Sequence, residues 1–234
     1  MYLGRMFYIK GEIFVREKSG MKEIDLMIFD LDGTLVDSAP DIIAAVNYTR
    51  NLLGLSSMED RSVISLVGEG VDKLVERFIG PEFQHRREEA MAIFLAYYEE
   101  HLLDNTTLYP GVTDVLDFFS QKKKVIITNK RYHFTRKITD GFAITTRFDD
   151  IIGTGSTPFM KPDARVVFPV LESFRIDPNR AVIFGDGVAD INLARNAGIK
   201  SCAMLNGFIP RDVLLSLQPD FACEHMGELK GMFC

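Results

Sequence analysis

Two kinds of hydrophobic pattern alternate along this chain. Short runs are apolar almost without interruption: Ile24 to Phe29, Lys124 to Asn129, Ala181 to Phe184 and Lys200 to Leu205. Such runs suit strands buried on both faces of a parallel sheet. Elsewhere apolar residues recur at helical spacing. Ile42, Ile43, Val46, Leu52 and Leu53 predict a helix that Ser38 caps, Pro40 opens and Gly54 ends. A short segment from Ser62 to Val67 follows, then a helix from Val71 to Ile79 closed by Gly80-Pro81. A long helix is expected from about Glu82 to Asp104, with Met91, Phe94, Leu95, Tyr98 and Leu102 on one stripe. After Tyr109-Pro110-Gly111 the two patterns alternate. Helices are expected near Val112–Gln121, His133–Asp140, Asp163–Phe174, Ala189–Ala197 and Arg211–Leu217, and further strands at Phe148–Ile152 and Asp220–Cys223.

Strand followed by helix, repeated, predicts an α/β fold with a doubly wound parallel sheet. Residues 37–106 hold only helices and interrupt a strand–helix alternation that has just begun, so they read as an inserted all-helical domain. The expected division is therefore a core of residues 21–36 and 107–234, an insert of residues 37–106, and an N-terminal extension of residues 1–20. In that extension Tyr8 to Val15 has the pattern of a small hairpin around Gly11, and Met21 is a second plausible start. The extension lacks the apolar stretch and cleavage site of a secretory signal.

Composition narrows the function classes. The chain has 234 residues, 47% of them hydrophobic and 26% charged, as a globular protein does. Net charge is −6, which argues against a broad nucleic-acid surface but leaves room for a local cationic pocket. No stretch of about 18 apolar residues is present, so no membrane span is expected. Cys202, Cys223 and Cys234 are few, odd in number and without metal-type spacing; they read as thiols of a reducing, cytoplasmic compartment.

The chemistry concentrates at strand ends, where open α/β sheets bind ligands. The first strand ends in Asp30-Leu31-Asp32-Gly33-Thr34-Leu35. Alternation on an extended segment puts both carboxylates on one side. Two close carboxylates are hard to ionise together unless a cation or hydrogen-bond donors lie between them, and Mg²⁺ prefers such oxygen ligands. One carboxylate is then free to attack while the other moves protons. Thr128-Asn129, Lys161-Pro162 and Gly185-Asp186-Gly187 with Asp190 mark three more ends. Each has a structural alternative: a turn or helix cap for the Asp-Gly and Thr-Asn pairs, a solvated loop lysine for Lys161. All of them falling at strand or loop ends of one sheet is hard to attribute to chance.

In this order, Asp-x-Asp-Gly-Thr-Leu, a threonine after an apolar strand, Lys-Pro and Gly-Asp-x-x-x-Asp resemble the haloacid dehalogenase superfamily, over about residues 24 to 225. Within it, Thr128-Asn129-Lys130, Tyr109-Pro110-Gly111 and Val67-Gly68-Glu69-Gly70 are similar to phosphoglycolate phosphatases. The resemblance implies a Rossmann-like core with a helical cap, and a Mg²⁺-dependent phosphatase acting through an aspartyl phosphate on a small phosphorylated metabolite, 2-phosphoglycolate first. It implies Asp30 as nucleophile and Asp32 as acid and base. Thr128 and the Asn129 backbone would hold phosphoryl oxygens, and Lys161 would neutralise charge. Asp30, the Asp32 carbonyl and Asp186 would bind Mg²⁺, with Asp190 supporting directly behind them or through water. A carboxylate two residues after the nucleophile favours phosphatases and mutases over the dehalogenases and ATPases of the superfamily. Two positions depart from its pattern: Gly187, where serine is usual, and Asp163, where a second proline is frequent.

Other substrates of the same chemistry stay open at this stage: a sugar phosphate, a nucleotide, pyrophosphate, or a mutase reaction. A non-catalytic phosphate-binding module is the reading from another class, and a binder has no need of Asp32. Lys122-Lys123-Lys124 is expected to be a solvated helix end, Phe94, Tyr97 and Tyr98 to pack within the insert, and no histidine is assigned to a metal. Gly68-Glu69-Gly70 either bounds a helix or faces the site. Whether the chain acts as monomer or homodimer is open.

Overall fold

In a computed structural model of the chain, residues 21–234 are described throughout, and residues 6–9 and 12–15 by their backbone. Strands β1 (Met6–Ile9) and β2 (Glu12–Val15) pair antiparallel, Ile9 opposite Glu12. The turn at Gly11 and the role expected for the extension lie outside the described residues.

The main sheet has six strands: β3 (Leu26–Phe29), β6 (Lys123–Arg131), β7 (Asp150–Thr154), β8 (Ala181–Gly185), β9 (Lys200–Met204) and β10 (Phe221–Cys223). Their order is β10-β9-β8-β3-β6-β7 and every pairing is parallel. Alternation along the central strand splits its side chains between two cores: Met27 and Phe29 pack on one face, Leu26 and Ile28 on the other. Val182 and Phe184 of β8 follow the first pair, Ala181 and Ile183 the second. Uninterrupted apolar runs are the expected sequence of strands covered on both faces. The covering helices are α5 (Val112–Phe118), α6 (Tyr132–Gly141), α7 (Phe168–Phe174), α8 (Val188–Ala197) and α9 (Arg211–Ser216).

Between β3 and β6 the chain leaves the sheet through β4 (Val36–Asp37) and returns through β5 (Thr107–Leu108), which pair antiparallel. The intervening cap is helical: α1 (Ala39–Leu52), α2 (Asp60–Ile64), α3 (Val71–Ile79) and α4 (Arg87–His101). Helix α4 packs against α1 and α3, with Phe78 against Phe94 at 5.9 Å. Buried Asp41 closes the neck: its carboxylate accepts from the backbone N–H groups of Asn105 and Thr106 and from the Thr106 hydroxyl.

The structure corrects several expectations. The helix expected from Glu82 to Asp104 is a 3₁₀ turn, Pro81–Arg86, followed by α4. The Gln84 amide donates to the carbonyls of Glu76 and Gly80, and Arg86 to that of Leu53, so the turn is held against α3 and α1 instead of continuing α4. The helix expected from Asp163 breaks into a 3₁₀ turn, Ala164–Val166, and α7, whose second residue is Pro169 and cannot donate to a preceding turn. Asp163, where the family favours proline, caps that turn by accepting from the Arg165 N–H at 2.9 Å. Strand β7 starts at Asp150, because Asp149 turns its carboxylate to the Lys124 N–H and the Lys123 ammonium. The lysine run is not a uniformly solvated end: Lys124 is buried, and its ammonium donates to the carbonyls of Phe119 and Lys122. Ser38 opens α1, but its hydroxyl makes no cap and donates to Asp32 instead.

Candidate active site

The central strand β3 and its neighbours β6 and β8 all deliver polar residues at their carboxyl ends, where the chain crosses from one side of the sheet to the other. All seven residues singled out from the sequence meet there. Asp30, Asp32, Thr128, Asn129 and Asp186 line one cavity. Lys161 and Asp190 lie beside it, joined to each other and to Asp30: the Lys161 ammonium is 2.8 Å from Asp30 Oδ1 and 2.7 Å from Asp190 Oδ1.

The loop after β3 is shaped by close approach. Gly33 has φ +77°, and a Cβ there would lie 2.1 Å from Asp186 Oδ2, so only glycine lets the two loops touch. Thr34 fixes Asp186 from the same turn: its hydroxyl donates to Asp186 Oδ1 at 2.8 Å and accepts from the Asp186 N–H at 3.1 Å. The Phe208 N–H donates to Asp186 Oδ2 at 2.7 Å. Asp190, at the start of α8, accepts from the Gly187 N–H at 3.0 Å. A Cβ on Gly187 would meet Asp190 Oδ2 at 3.0 Å, so the departure from serine here gives the Asp190 carboxylate room.

Thr128 and Asn129 are not helix caps. They lie in β6, which runs on to Arg131 with a register shift after Ile127, and α6 begins only at Tyr132. The Thr128 hydroxyl accepts from the Lys130 N–H. The Asn129 side chain is a three-way brace: its amide donates to the carbonyls of Gly68 and Lys161, and its oxygen accepts from the Lys161 N–H. Gly70 directly precedes α3, and Gly68 and Gly70 face the cavity, whereas Glu69 is exposed and pairs with Arg77.

The electrostatics call for a cation. Oxygens of Asp30, Asp186 and Asp190 lie within 4.8 Å of one another, and no histidine or cysteine of the described residues joins them. Burial, then the facing Asp30 carboxylate, push the Asp186 acid up to about 8. Burial also pushes Asp190 up, to about 6, although Lys161 opposes it. Burial works against the charge on Lys161, but Asp190 and Asp30 outweigh it and hold its ammonium above the ordinary range. One ammonium among three carboxylates leaves negative charge uncompensated, and an all-oxygen donor set of this kind fits Mg²⁺.

The sequence assigns no role in the site to Ser38, Lys130, Tyr98 or Arg131, and two of these, Ser38 and Lys130, touch Asp32. Its carboxylate accepts from the Ser38 hydroxyl at 2.5 Å and pairs with the Lys130 ammonium at 3.0 Å. Lys130 also donates to the hydroxyl of Tyr98, from the cap, at 2.7 Å. Tyr98 stacks on Phe94 and meets Phe134 of the core edge-on, so the aromatic stripe packs as expected but also reaches the cavity. Arg131, at the end of β6, lines it too. The available signal was position: Lys130 and Arg131 directly follow Thr128-Asn129.

The sequence profile of the haloacid dehalogenase-like hydrolases matches residues 27–204. The phosphoglycolate phosphatase of Chromobacterium violaceum is 35% identical over 202 residues, 83% of this chain and 90% of that protein. That of Aquifex aeolicus is 34% identical, over 87% of this chain and 94% of its own length. A haloacid dehalogenase-like family hydrolase from Streptococcus pneumoniae superposes with a TM-score of 0.80 at 30% identity, over 89% of this chain and 97% of its own. Among the described residues no helix is long and apolar enough to cross a membrane. The chain belongs to the haloacid dehalogenase-like hydrolases, and within them it is similar to enzymes named phosphoglycolate phosphatase.

Proposed function

We propose that this protein is a Mg²⁺-dependent phosphatase of small phosphorylated metabolites, with 2-phosphoglycolate as its leading substrate. The observation that carries the reading is Asp30 in contact with Lys161 while Asp32, two residues on, opens into the same cavity. An attacking carboxylate, an acid beside it and a fixed ammonium are what phosphoryl transfer to a carboxylate requires. The names of the relatives support the substrate.

Asp30 attacks phosphorus, the bond from phosphorus to the ester oxygen breaks, and Asp32 delivers a proton to that leaving oxygen. Asp32 then takes a proton from water as the water attacks the aspartyl phosphate, which frees phosphate and restores Asp30. The Thr128 hydroxyl and the Asn129 N–H hold phosphoryl oxygens, and Lys161 bridges nucleophile and phosphoryl group. Asp30, the Asp32 carbonyl and Asp186 would hold the metal, with Asp190 steadying Lys161 and the loop behind them. Magnesium there supplies positive charge that offsets the facing carboxylates and the phosphoryl oxygens. Residues 37–106 act as a cap that excludes water over a core of residues 21–36 and 107–234, and the setting is cytoplasmic. Phosphate release from a metabolite panel and from p-nitrophenyl phosphate, with and without Mg²⁺, tests this. Hydrolysis of 2-phosphoglycolate above the rest of the panel is expected; no release from any ester would overturn it.

A further inference from the structure

Lys130 is nearly buried, with 7% of its side chain exposed, yet it lies at the cavity wall between the core and the cap. Its ammonium reaches Asp32 Oδ1 and Oδ2 at 3.0 and 3.1 Å and the Tyr98 hydroxyl at 2.7 Å. The Tyr98 hydroxyl accepts that bond, and its own proton has no acceptor among the described residues. Tyr98 is 2% exposed, so this donor is withheld from bulk water. Burial pushes the Tyr98 phenol's pKa up to about 12, which keeps it a neutral donor near neutral pH. Around this pair the cap side of the cavity is apolar, with Ile42, Val67, Val71, Leu74 and Phe94. A polar fragment entering here finds few partners other than Lys130 and Tyr98.

The reaction geometry says what that fragment is. If Asp32 protonates the leaving oxygen, that oxygen must come to the Asp32 carboxyl. Whatever the leaving group carries one or two bonds further on then arrives beside Lys130, which touches the same carboxyl. We propose that Lys130 and Tyr98 form the receiving site for a carboxylate on the leaving group, so that the enzyme selects phosphate esters of short 2-hydroxy acids over neutral alcohols. This rests on the phosphatase reading above and gives its substrate class a structural cause. An ammonium and a hydroxyl donor in an apolar wall suit a carboxylate, since charge-assisted hydrogen bonds strengthen where water is excluded. A neutral ester offers no charge to draw the Lys130 ammonium from Asp32 and only a weak acceptor to the Tyr98 proton, so it gains less from this wall. An arriving carboxylate competes with Asp32 for the ammonium and leaves the Asp32 carboxyl free to meet the leaving oxygen. Arg131 is a rival cation on the same wall.

The test is a ratio. kcat/KM is measured for 2-phosphoglycolate and for 2-hydroxyethyl phosphate, which replaces the carboxylate with a neutral hydroxymethyl group. The wild type should favour the carboxylate ester at least about 30-fold. Lys130→Met should cut both, because Asp32 loses a partner, but should lower the ratio to below about threefold. Lys130→Arg should restore most of the ratio, and Arg131→Met should leave it within about twofold of wild type. Binding to the Asp30→Asn protein, measured by calorimetry with and without Lys130→Met, should show the same ester preference without turnover. A wild-type ratio near one, equal losses on both esters in Lys130→Met, or collapse of the ratio in Arg131→Met would overturn the assignment. Hydrolysis of neutral esters alone would sink this inference and leave the phosphatase standing. Absence of all turnover would sink the phosphatase reading, and the calorimetric preference would still decide the binding site.

Discussion

Asp186 lies under Gly33, accepts hydrogen bonds from Thr34 and Phe208, and faces Asp30 and Asp190, so its negative charge is costly to bury without a cation. In the metal-free protein its acid is held up at about 8, against about 4 for an unfolded aspartate. A folded value above the unfolded one means that the folded state binds the proton more tightly. The contribution to stability is therefore present at low pH and is lost as pH rises from about 4 through about 8. Metal binding runs the other way, because the ligand is the carboxylate. Apparent Mg²⁺ affinity should rise by up to about tenfold per pH unit between about pH 6 and 8 and then level off. Calorimetric titrations over that range check it; Asp186→Asn should weaken binding and flatten the dependence, and a pH-independent affinity in the wild type would refute the assignment. Asp30→Asn makes a simpler claim. It keeps the side-chain volume and a contact to Lys161 but removes the attacking oxygen, so turnover should fall by at least about 10⁴-fold while circular dichroism and Tm change little. Substantial residual turnover in freshly purified protein would rule out the covalent route.

At the scale of elements, legibility in the sequence followed burial. Strands β3, β8 and β9 are covered on both faces, so their apolar runs gave their positions, and the polar residues after them gave the sheet edge. Elements set by a few side chains were misread. The turn before α4 depends on Gln84 and Arg86 reaching carbonyls far from their own segment, and periodicity carries no trace of that. Likewise Lys130 stands in the sequence only as the third residue of Thr128-Asn129-Lys130, and its contact with Tyr98 of α4 appears only in the fold. Ser38 had the form of a helix cap, but a carboxylate within 2.5 Å won its hydroxyl. Asn129 was legible as a site residue for its backbone; its side chain proves to tie β6 to the Lys161 loop and to the entry of α3. Asn129→Ala leaves buried backbone groups of Lys161 without partners, at about 1–3 kcal/mol. For a chain of this size that is a Tm fall of about 2–4 °C per kcal/mol. Because Lys161 then drifts from Asp30, kcat should fall more than KM rises. Scanning calorimetry and steady-state kinetics test both, and a Tm loss with unchanged kcat would reduce Asn129 to a structural brace.

Across the whole molecule, an acidic protein of net charge −6 gathers the carboxylates of Asp30, Asp186 and Asp190 at one point. The loops carrying them come from distant parts of the chain, Asp30 before the cap and Asp186 and Asp190 near the end of the core. A cation that binds all of them binds only the folded arrangement, and so stabilises it by mass action. Magnesium at 100 times its Kd should add about 2.7 kcal/mol, a Tm rise of roughly 5–11 °C for a chain of this length. Calcium shares the preference for oxygen ligands but takes more of them at longer, looser distances. It should therefore raise Tm comparably while supporting little turnover, since Asp30 must be held to a tight attack geometry. Thermal unfolding and phosphate release, measured after exhaustive chelation and after each ion is restored, separate the two effects. Expected are a low Tm and no turnover in the chelated protein, both regained with Mg²⁺, and only Tm regained with Ca²⁺. Full turnover after chelation would remove the metal from the reaction. A Tm that ignores both ions would mean that the carboxylates of Asp30, Asp186 and Asp190 are held by Lys161 and their own hydrogen bonds alone.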